Sequence, residues 1–257
     1  MKDTPHDRLI ARAFAEQATG YDASAVANAA ELLDALVAVA EPRPTERWLE
    51  AACGPGIISR AFAPLVASVH GVDLTPAMID TARARAAETG AGNLTFAVAD
   101  ATASGLPAAS FDGAVTRFSI HHLPLPARLF GELARVVRPG GRVVILDHLA
   151  DEDADAQAWS QEIERLRDPS HWACVTAERM RALGQRAGLE LAHEQRFAFE
   201  LDFDDWLTRG SRDHAAHELV NRALADAPAA ARAFTVRERA GGRALALEIW
   251  LGLWTRP

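Results

Sequence analysis

The chain has 257 residues, 49% of them hydrophobic and 24% charged, which suits one large folded domain or a domain with a lid. A formal net charge of −8 argues against a nucleic-acid partner, because binding phosphates needs a basic face. No stretch approaches the roughly 18 uncharged apolar residues of a membrane span, and Cys53 and Cys174 are too few for a disulfide framework or a metal cluster. The opening "MKDTPHDRLIARAF" is amphipathic without an apolar signal core, so a reduced, cytoplasmic protein is expected.

Residues 22–40 read as a helix, since Val26, Ala29, Leu33, Leu36 and Ala40 recur at three- and four-residue steps, and "EPRPT" stops it. "RWLEA" reads as a short buried strand and "IISRAFAPL", after two glycines, as a helix. "VHGVD" is a second strand, followed by a helix with Thr75 at its N-cap, Pro76 in its first turn and Gly90 as terminator. "LTFAVAD" and "FDGAVTRFSI" give the third and fourth strands, "ARLFGELARVV" a helix and "PGGRVVILD" a fifth strand. Residues 151–187 and 211–240 read as helical, with a sixth strand at about 189–197 between them and a last strand in "RALALEIWLGLWTRP". The expected fold is α/β: a Rossmann-like, seven-stranded, mostly parallel sheet with an antiparallel last strand and a helical cap. It divides into a lid (1–40), a nucleotide-binding core (41–150), a cap with the sixth strand (151–240) and the closing strand (241–257).

The loop "EAACGPG" points to a nucleotide ligand. Glu50 ends the first strand, and Gly54 and Gly56 bare the backbone where a ligand could approach. Asp73 ends the second strand, where a carboxylate accepts both hydroxyls of a ribose. A dinucleotide fingerprint needs a glycine or alanine where Ser59 stands, so the match to NAD(P) is imperfect. The third strand puts Asp100 on the adenine side of a nucleotide held by Asp73.

In this order, "FAEQATGYDAS" (14–24), "LEAACGPG" (49–56), "GVDLTPAMI" (71–79), "ADA" (99–101), "LPAASFD" (106–112), "IHHLP" (120–124), "LARVVRPGGRVVI" (133–145) and "ERLRDPSHW" (164–172) resemble the class I S-adenosylmethionine-dependent methyltransferases, and among them the small-molecule group that includes the ubiquinone/menaquinone enzymes. The resemblance implies that Glu50 contacts the methionine amino end or orients the loop. Gly54 and Gly56 would line the methionine and ribose, Asp73 hold the ribose diol, Met78 pack on adenine, Asp100 accept from the adenine amino group and Ala101 offer a backbone N–H. Leu74 and Phe118 would complete the cofactor site. Ala52 departs from the pattern, which has glycine there. Cys53 reads as a small buried hydrophobe.

Methyl transfer from a sulfonium is a direct displacement that needs alignment, exclusion of water and, for some acceptors, a base. His121, just past the fourth strand, is the expected acceptor-facing group and candidate base; His122 is expected to be structural. Arg167, Asp168 and His171 are expected at the substrate, with Phe14 and Tyr21 lining the acceptor pocket from the N-terminal lid; Asp168 also fits a turn. No metal is expected, for no segment has zinc-ligand spacing, and Asp147 with "DEDAD" reads as a solvated loop. The acceptor is expected to be a quinone-like, phenolic or heteroaromatic small molecule, methylated on O, N or C, with S-adenosylhomocysteine as product. A nicotinamide-dependent oxidoreductase and a non-catalytic or recruited cofactor-binding scaffold remain alternatives, and the oligomeric state is open.

Overall fold

The computed structural model describes residues 4–22, 24, 29–210 and 213–257, without the side chains of residues 18, 19 and 21. Its centre is an eight-stranded sheet. Strands β1 (Arg47–Ala51), β2 (Ser68–Asp73), β3 (Leu94–Val98), β4 (Phe111–Arg117) and β5 (Val137–His148) lie parallel in the order β3-β2-β1-β4-β5. Strand β8 (Gly242–Thr255) runs antiparallel beside β5, and β6 (Glu190–Asp202) closes the far edge.

The strands alternate in direction of burial, and that alternation builds two cores. Trp48, Val69, Val144 and Leu146 face one side, while Leu49, Val143, Ile145 and Trp254 face the other. Helices α2 (Ala30–Ala40) and α3 (Ile57–Phe62) cover the first face, with α5 (Pro126–Val136) and α7 (Ala177–Arg186) on the second. Helix α4 (Pro76–Thr89) follows β2, with Pro76 in its first turn and Gly90 left-handed at its end. Thr75 occupies the N-cap position, but its hydroxyl makes no capping bond. The next inward position on β5 after Val143 and Ile145 is Asp147, so the period of two that buries the valines also buries a carboxylate.

One sheet contact is unusually close. Gly113 on β4 stands opposite Trp48 on β1, and a Cβ there would meet the indole at 2.6 Å. Gly113→Ala is expected to destabilise the chain by about 1–3 kcal/mol through overpacking, read by urea unfolding. An unchanged midpoint would mean the indole has room to move.

Three sequence expectations need correction. Asp22 ends helix α1 (Pro5–Asp22) instead of beginning the next helix, which starts at Ala30; Val26 lies outside the described residues. Strand β6 runs to Asp202, because β8 pairs with it as far as Ala244. Residues 211–240 are not helical throughout: α9 (His214–Ala223) gives way to strand β7 (Phe234–Arg239), which pairs with β8 where β5 has ended. The alanine-rich run before Pro228 masked this strand. Its signal was the alternation of Phe234 and Val236 ahead of the two-residue hairpin turn Ala240-Gly241.

Candidate active site

A cavity of about 660 Å³ opens at the carboxyl ends of β1, β2 and β4, the size of a site for a cofactor or drug-sized ligand. Glu50, Ala52, Gly54, Asp73 and Leu74 line one part of it. Met78, Asp100, Ala101 and Phe118 line another, and Phe14 on α1 closes over them with Ile10.

The two loop glycines do different work. Gly54 has a left-handed backbone and nothing within 4 Å of where a Cβ would stand, so its bareness faces the cavity. Gly56 is absent from the cavity wall. It begins α3 with φ +74°, and a Cβ there would strike Phe96 at 2.9 Å. Its role is packing, which spacing could not separate from ligand approach. Ser59, where a dinucleotide fingerprint has its third small residue, donates its backbone N–H to Glu50 Oε2 at 2.7 Å and its hydroxyl to the same oxygen. The serine thus ties α3 to the tip of β1.

Asp73 clamps the loop on both sides. Gly54 N–H donates to Oδ2 at 2.8 Å, and Thr75 N–H donates to Oδ1 at 2.8 Å. Each oxygen keeps a lone pair. Burial raises the carboxyl above its ordinary pKa, against the pull of these donors. Burial also lifts Glu50 to about 7 despite its bonds from Ser59. Asp100 caps its own turn, accepting from Thr102 N–H at 2.8 Å and from the Thr102 hydroxyl at 2.7 Å. Ala52 and Phe118, both non-glycine, have φ of 53° and 52°. Left-handed backbone at such residues costs about 1–3 kcal/mol and gathers at functional sites.

Phe118 also lines a second, smaller cavity of about 80 Å³ with Phe14, His121, His122, Arg167 and Asp168. His121 opens only on this one, whereas His122 reaches both. His121 Nδ1 donates to Asp147 Oδ1 at 2.7 Å, and Ile120 N–H donates to Asp147 Oδ2 at 2.7 Å. Asp147 is fully buried, not a member of a solvated loop; of its acidic neighbours Asp151 is buried and Glu152, Asp153 and Asp155 are exposed. Burial drives the His121 ring down to about 3 against the opposing influence of Asp147. His122 Nδ1 donates to the carbonyl of Ser170 at 3.0 Å.

Asp168 turns the chain, accepting from Ser170 N–H at 2.9 Å and from the Ser170 hydroxyl at 2.6 Å. Arg167 lies 4.7 Å over the Trp206 ring and donates to the Trp206 carbonyl at 2.9 Å, packing the end of α6 (Ala154–Arg167) on α8 (Phe203–Gly210). His171 lines neither cavity; it is buried behind His121, its Nε2 donating to Gln161 Oε1 at 2.7 Å. The Tyr21 side chain lies outside the described residues. Helix α1 is anchored as a cover: Asp22 pairs with Arg60 at 2.9 Å and Arg85 at 2.6 Å, and His6 Nε2 meets the His122 carbonyl at 2.8 Å. His148, marked by no motif or spacing, lines the second cavity, and the topology brings it beside His121.

Residues 49–145 match a family model described as a methyltransferase domain. The chain is 31% identical over 197 residues to the uncharacterized methyltransferase YcgJ of Bacillus subtilis (strain 168), spanning 77% of this chain and 78% of that one. The crystal structure of the YcgJ protein superposes with a TM-score of 0.82 at 28% identity, over 87% of this chain and 97% of the other. Aklanonic acid methyltransferase DauC of Streptomyces sp. (strain C5) is 34% identical over 146 residues, 56% of this chain and 66% of its own. Among the described residues no helix is long and apolar enough to cross a membrane.

Proposed function

The chain belongs to the class I S-adenosylmethionine-dependent methyltransferases, and on that basis we propose that it methylates a small organic acceptor held where the first cavity meets the second, at Phe14, Phe118 and His122, under α1 and the cap. The observation that carries this reading is the large cavity at the strand tips, where two carboxylates and the bare backbone of Gly54 meet a ring, Phe118, shared with the smaller cavity. When bound, S-adenosylmethionine supplies an activated methyl group on a sulfonium. The residues fit it: Glu50 suits the amino group of the methionine end, Asp73 the ribose diol, Met78 and Leu74 the adenine face and Asp100 its edge. Phe118 and Phe14 exclude water from the junction of the cavities. His121, oriented by Asp147 and kept neutral by burial, is the group we assign to accept a hydrogen bond from the acceptor and position it.

The acceptor we favour is aromatic and oxygen-bearing, of quinone-like, phenolic or heteroaromatic type. The second cavity's wall of Phe14, Phe118, Trp206 and histidines supports it, as does a relative whose name makes it an aklanonic acid methyltransferase. A cytoplasmic setting suits the two buried, free thiols Cys53 and Cys174. Incubation with methyl-labelled S-adenosylmethionine and a panel of phenols, quinols and heteroaromatic acids is expected to give labelled product and S-adenosylhomocysteine. Binding of NAD(H) with no binding of S-adenosylhomocysteine would overturn the reading.

Glu50 offers a pH test. With its carboxyl at about 7, the folded chain holds a proton that the unfolded chain, at the ordinary 4.5, releases; stability of the ligand-free protein therefore falls as pH rises from about 4.5 through about 7. Glu50→Gln removes that decline and is expected to exceed the native chain by about 2–3 kcal/mol above pH 7, with no difference near pH 4.5, in urea unfolding across pH. In the native chain, S-adenosylhomocysteine binding is expected to tighten as pH rises through 7, since its ammonium favours the charged carboxylate. The variant loses that slope and binds about tenfold more weakly. Affinities flat with pH in both proteins would place the ammonium elsewhere.

A further inference from the structure

Three of the chain's histidines, 27 and 23 positions apart, meet in the fold. A ring nitrogen from each of His121, His148 and His171 lies within 4.8 Å of the others, and all three residues are buried. The segment carrying His171 is docked onto His121 itself, because Trp172 N–H and Ala173 N–H donate to the His121 carbonyl at 2.8 and 3.0 Å.

One ring nitrogen of each histidine is engaged by a neighbour, Nδ1 of His148 lying 3.3 Å from Asp147 Oδ1, and the other is left unspent. His121 donates Nδ1–H to Asp147, so Nε2 carries a lone pair. His171 donates Nε2–H to Gln161 Oε1, whose identity as oxygen is fixed by the Cys174 N–H that donates to it at 2.9 Å; its Nδ1 is left with a lone pair. His148 Nε2 is buried with no hydrogen-bond partner, and Glu164 Oε1 lies 3.7 Å from it. A buried, unpartnered polar atom is costly, and metal-binding histidines characteristically spend their other ring nitrogen on a carboxylate or carbonyl. Asp147 and Gln161 provide that support here.

We infer that His121, His148 and His171 form a three-histidine site for one divalent transition-metal ion of the zinc class. Imidazoles, neutral once an ion takes the place of the proton that Cys174, Asp147 and Glu164 favour on His148, are borderline-soft donors that suit zinc, and bonds of about 2.0–2.1 Å would draw their nitrogens closer by side-chain rotation. The ion would balance the buried carboxylates of Asp147 and Glu164. Because His121, His148 and Glu164 also line the second cavity, an ion held there would be reachable by an acceptor oxygen. The metal site stands independently of the methyltransferase reading. Only the ion's task rests on that reading: with the ion bound, His121 acts on the acceptor through it.

The test uses the full-length protein, stripped with a chelator and titrated with Co²⁺. One equivalent is expected to give the visible absorption of a nitrogen-ligated, four- or five-coordinate ion, which Zn²⁺ then bleaches, and Zn²⁺ is expected to raise the melting temperature reversibly by chelation. His148→Gln and His171→Gln should each weaken Co²⁺ binding by roughly 100-fold, while His193→Gln, at an exposed position on β6, leaves it unchanged. Native protein that gives no Co²⁺ band and no thermal shift overturns the site whether or not the variants fold. So does an affinity that the His148 or His171 change leaves intact. S-adenosylhomocysteine binding measured on the same stripped protein separates this failure from failure of the proposed function.

Discussion

Asp73→Ala is expected to weaken S-adenosylhomocysteine binding by about 100-fold or more. Both carboxylate oxygens already accept a backbone N–H, from Gly54 and from Thr75, and each retains a lone pair toward the cavity. In the proposed complex those lone pairs take the two ribose hydroxyls. Charge-assisted hydrogen bonds contribute about 1.5–3 kcal/mol each, so losing two costs about 3 kcal/mol or more. The alanine also releases the loop at Gly54, which adds to the loss. Asp73→Asn separates the two contributions, for an amide keeps one accepting oxygen and is expected to fall between the native chain and the alanine variant. Calorimetric titration reads all three. An unchanged dissociation constant in the alanine variant would mean the sugar lies elsewhere.

The second large effect concerns turnover. His121→Ala is expected to lower kcat by about 10²–10⁴-fold while changing S-adenosylhomocysteine affinity little, because His121 opens on the second cavity and not on the first. Asp147 is a positioning residue for that ring. Its carboxylate accepts from His121 Nδ1, from Ile120 N–H and, at 2.9 Å, from His148 N–H. Asp147→Asn turns an N–H toward one of these donors and favours the wrong histidine tautomer. It is expected to lose a comparable share of kcat with cofactor affinity held within about threefold. A merely structural role would instead lower the melting temperature and both binding constants together. Equal kcat in native and His121→Ala protein, on any acceptor found with the labelled donor, would remove His121 from the chemistry.

The core of the fold was legible because its signals are local. Alternating apolar strands, a proline at the start of α4 and a glycine at its end are written in neighbouring residues, and β1 appears with the predicted bounds. The nucleotide cavity was legible for a similar reason: Glu50 and Asp73 sit in the last positions of β1 and β2, and Asp100 lies two positions past the end of β3. What sequence could not supply was whatever depends on long-range pairing. Strand β7 owes its existence to β8, and the helical propensity of the alanine-rich segment before it hides the strand. The acceptor end was read only in part. His121 and Asp168 were visible as a titratable group and a turn, yet His148 lies on β5, one position beyond Asp147, with nothing in its spacing to link it to His121 and His171. Metal-ligand logic along a sequence looks for short intervals, and here the intervals are closed by the sheet and by the docking of the segment after α6. Likewise the split between Gly54 and Gly56 rests on Phe96, a side chain from β3 that no inspection of the loop reveals.

The most direct test is a crystal structure of the protein with S-adenosylhomocysteine. The nucleoside is expected across the tips of β1 to β3, with both ribose hydroxyls on Asp73, the adenine against Met78 and beside Asp100, and the sulfur turned toward Phe118 and the second cavity. A saturated complex with the nucleoside bound elsewhere, or with side chains filling that crevice, would contradict this placement.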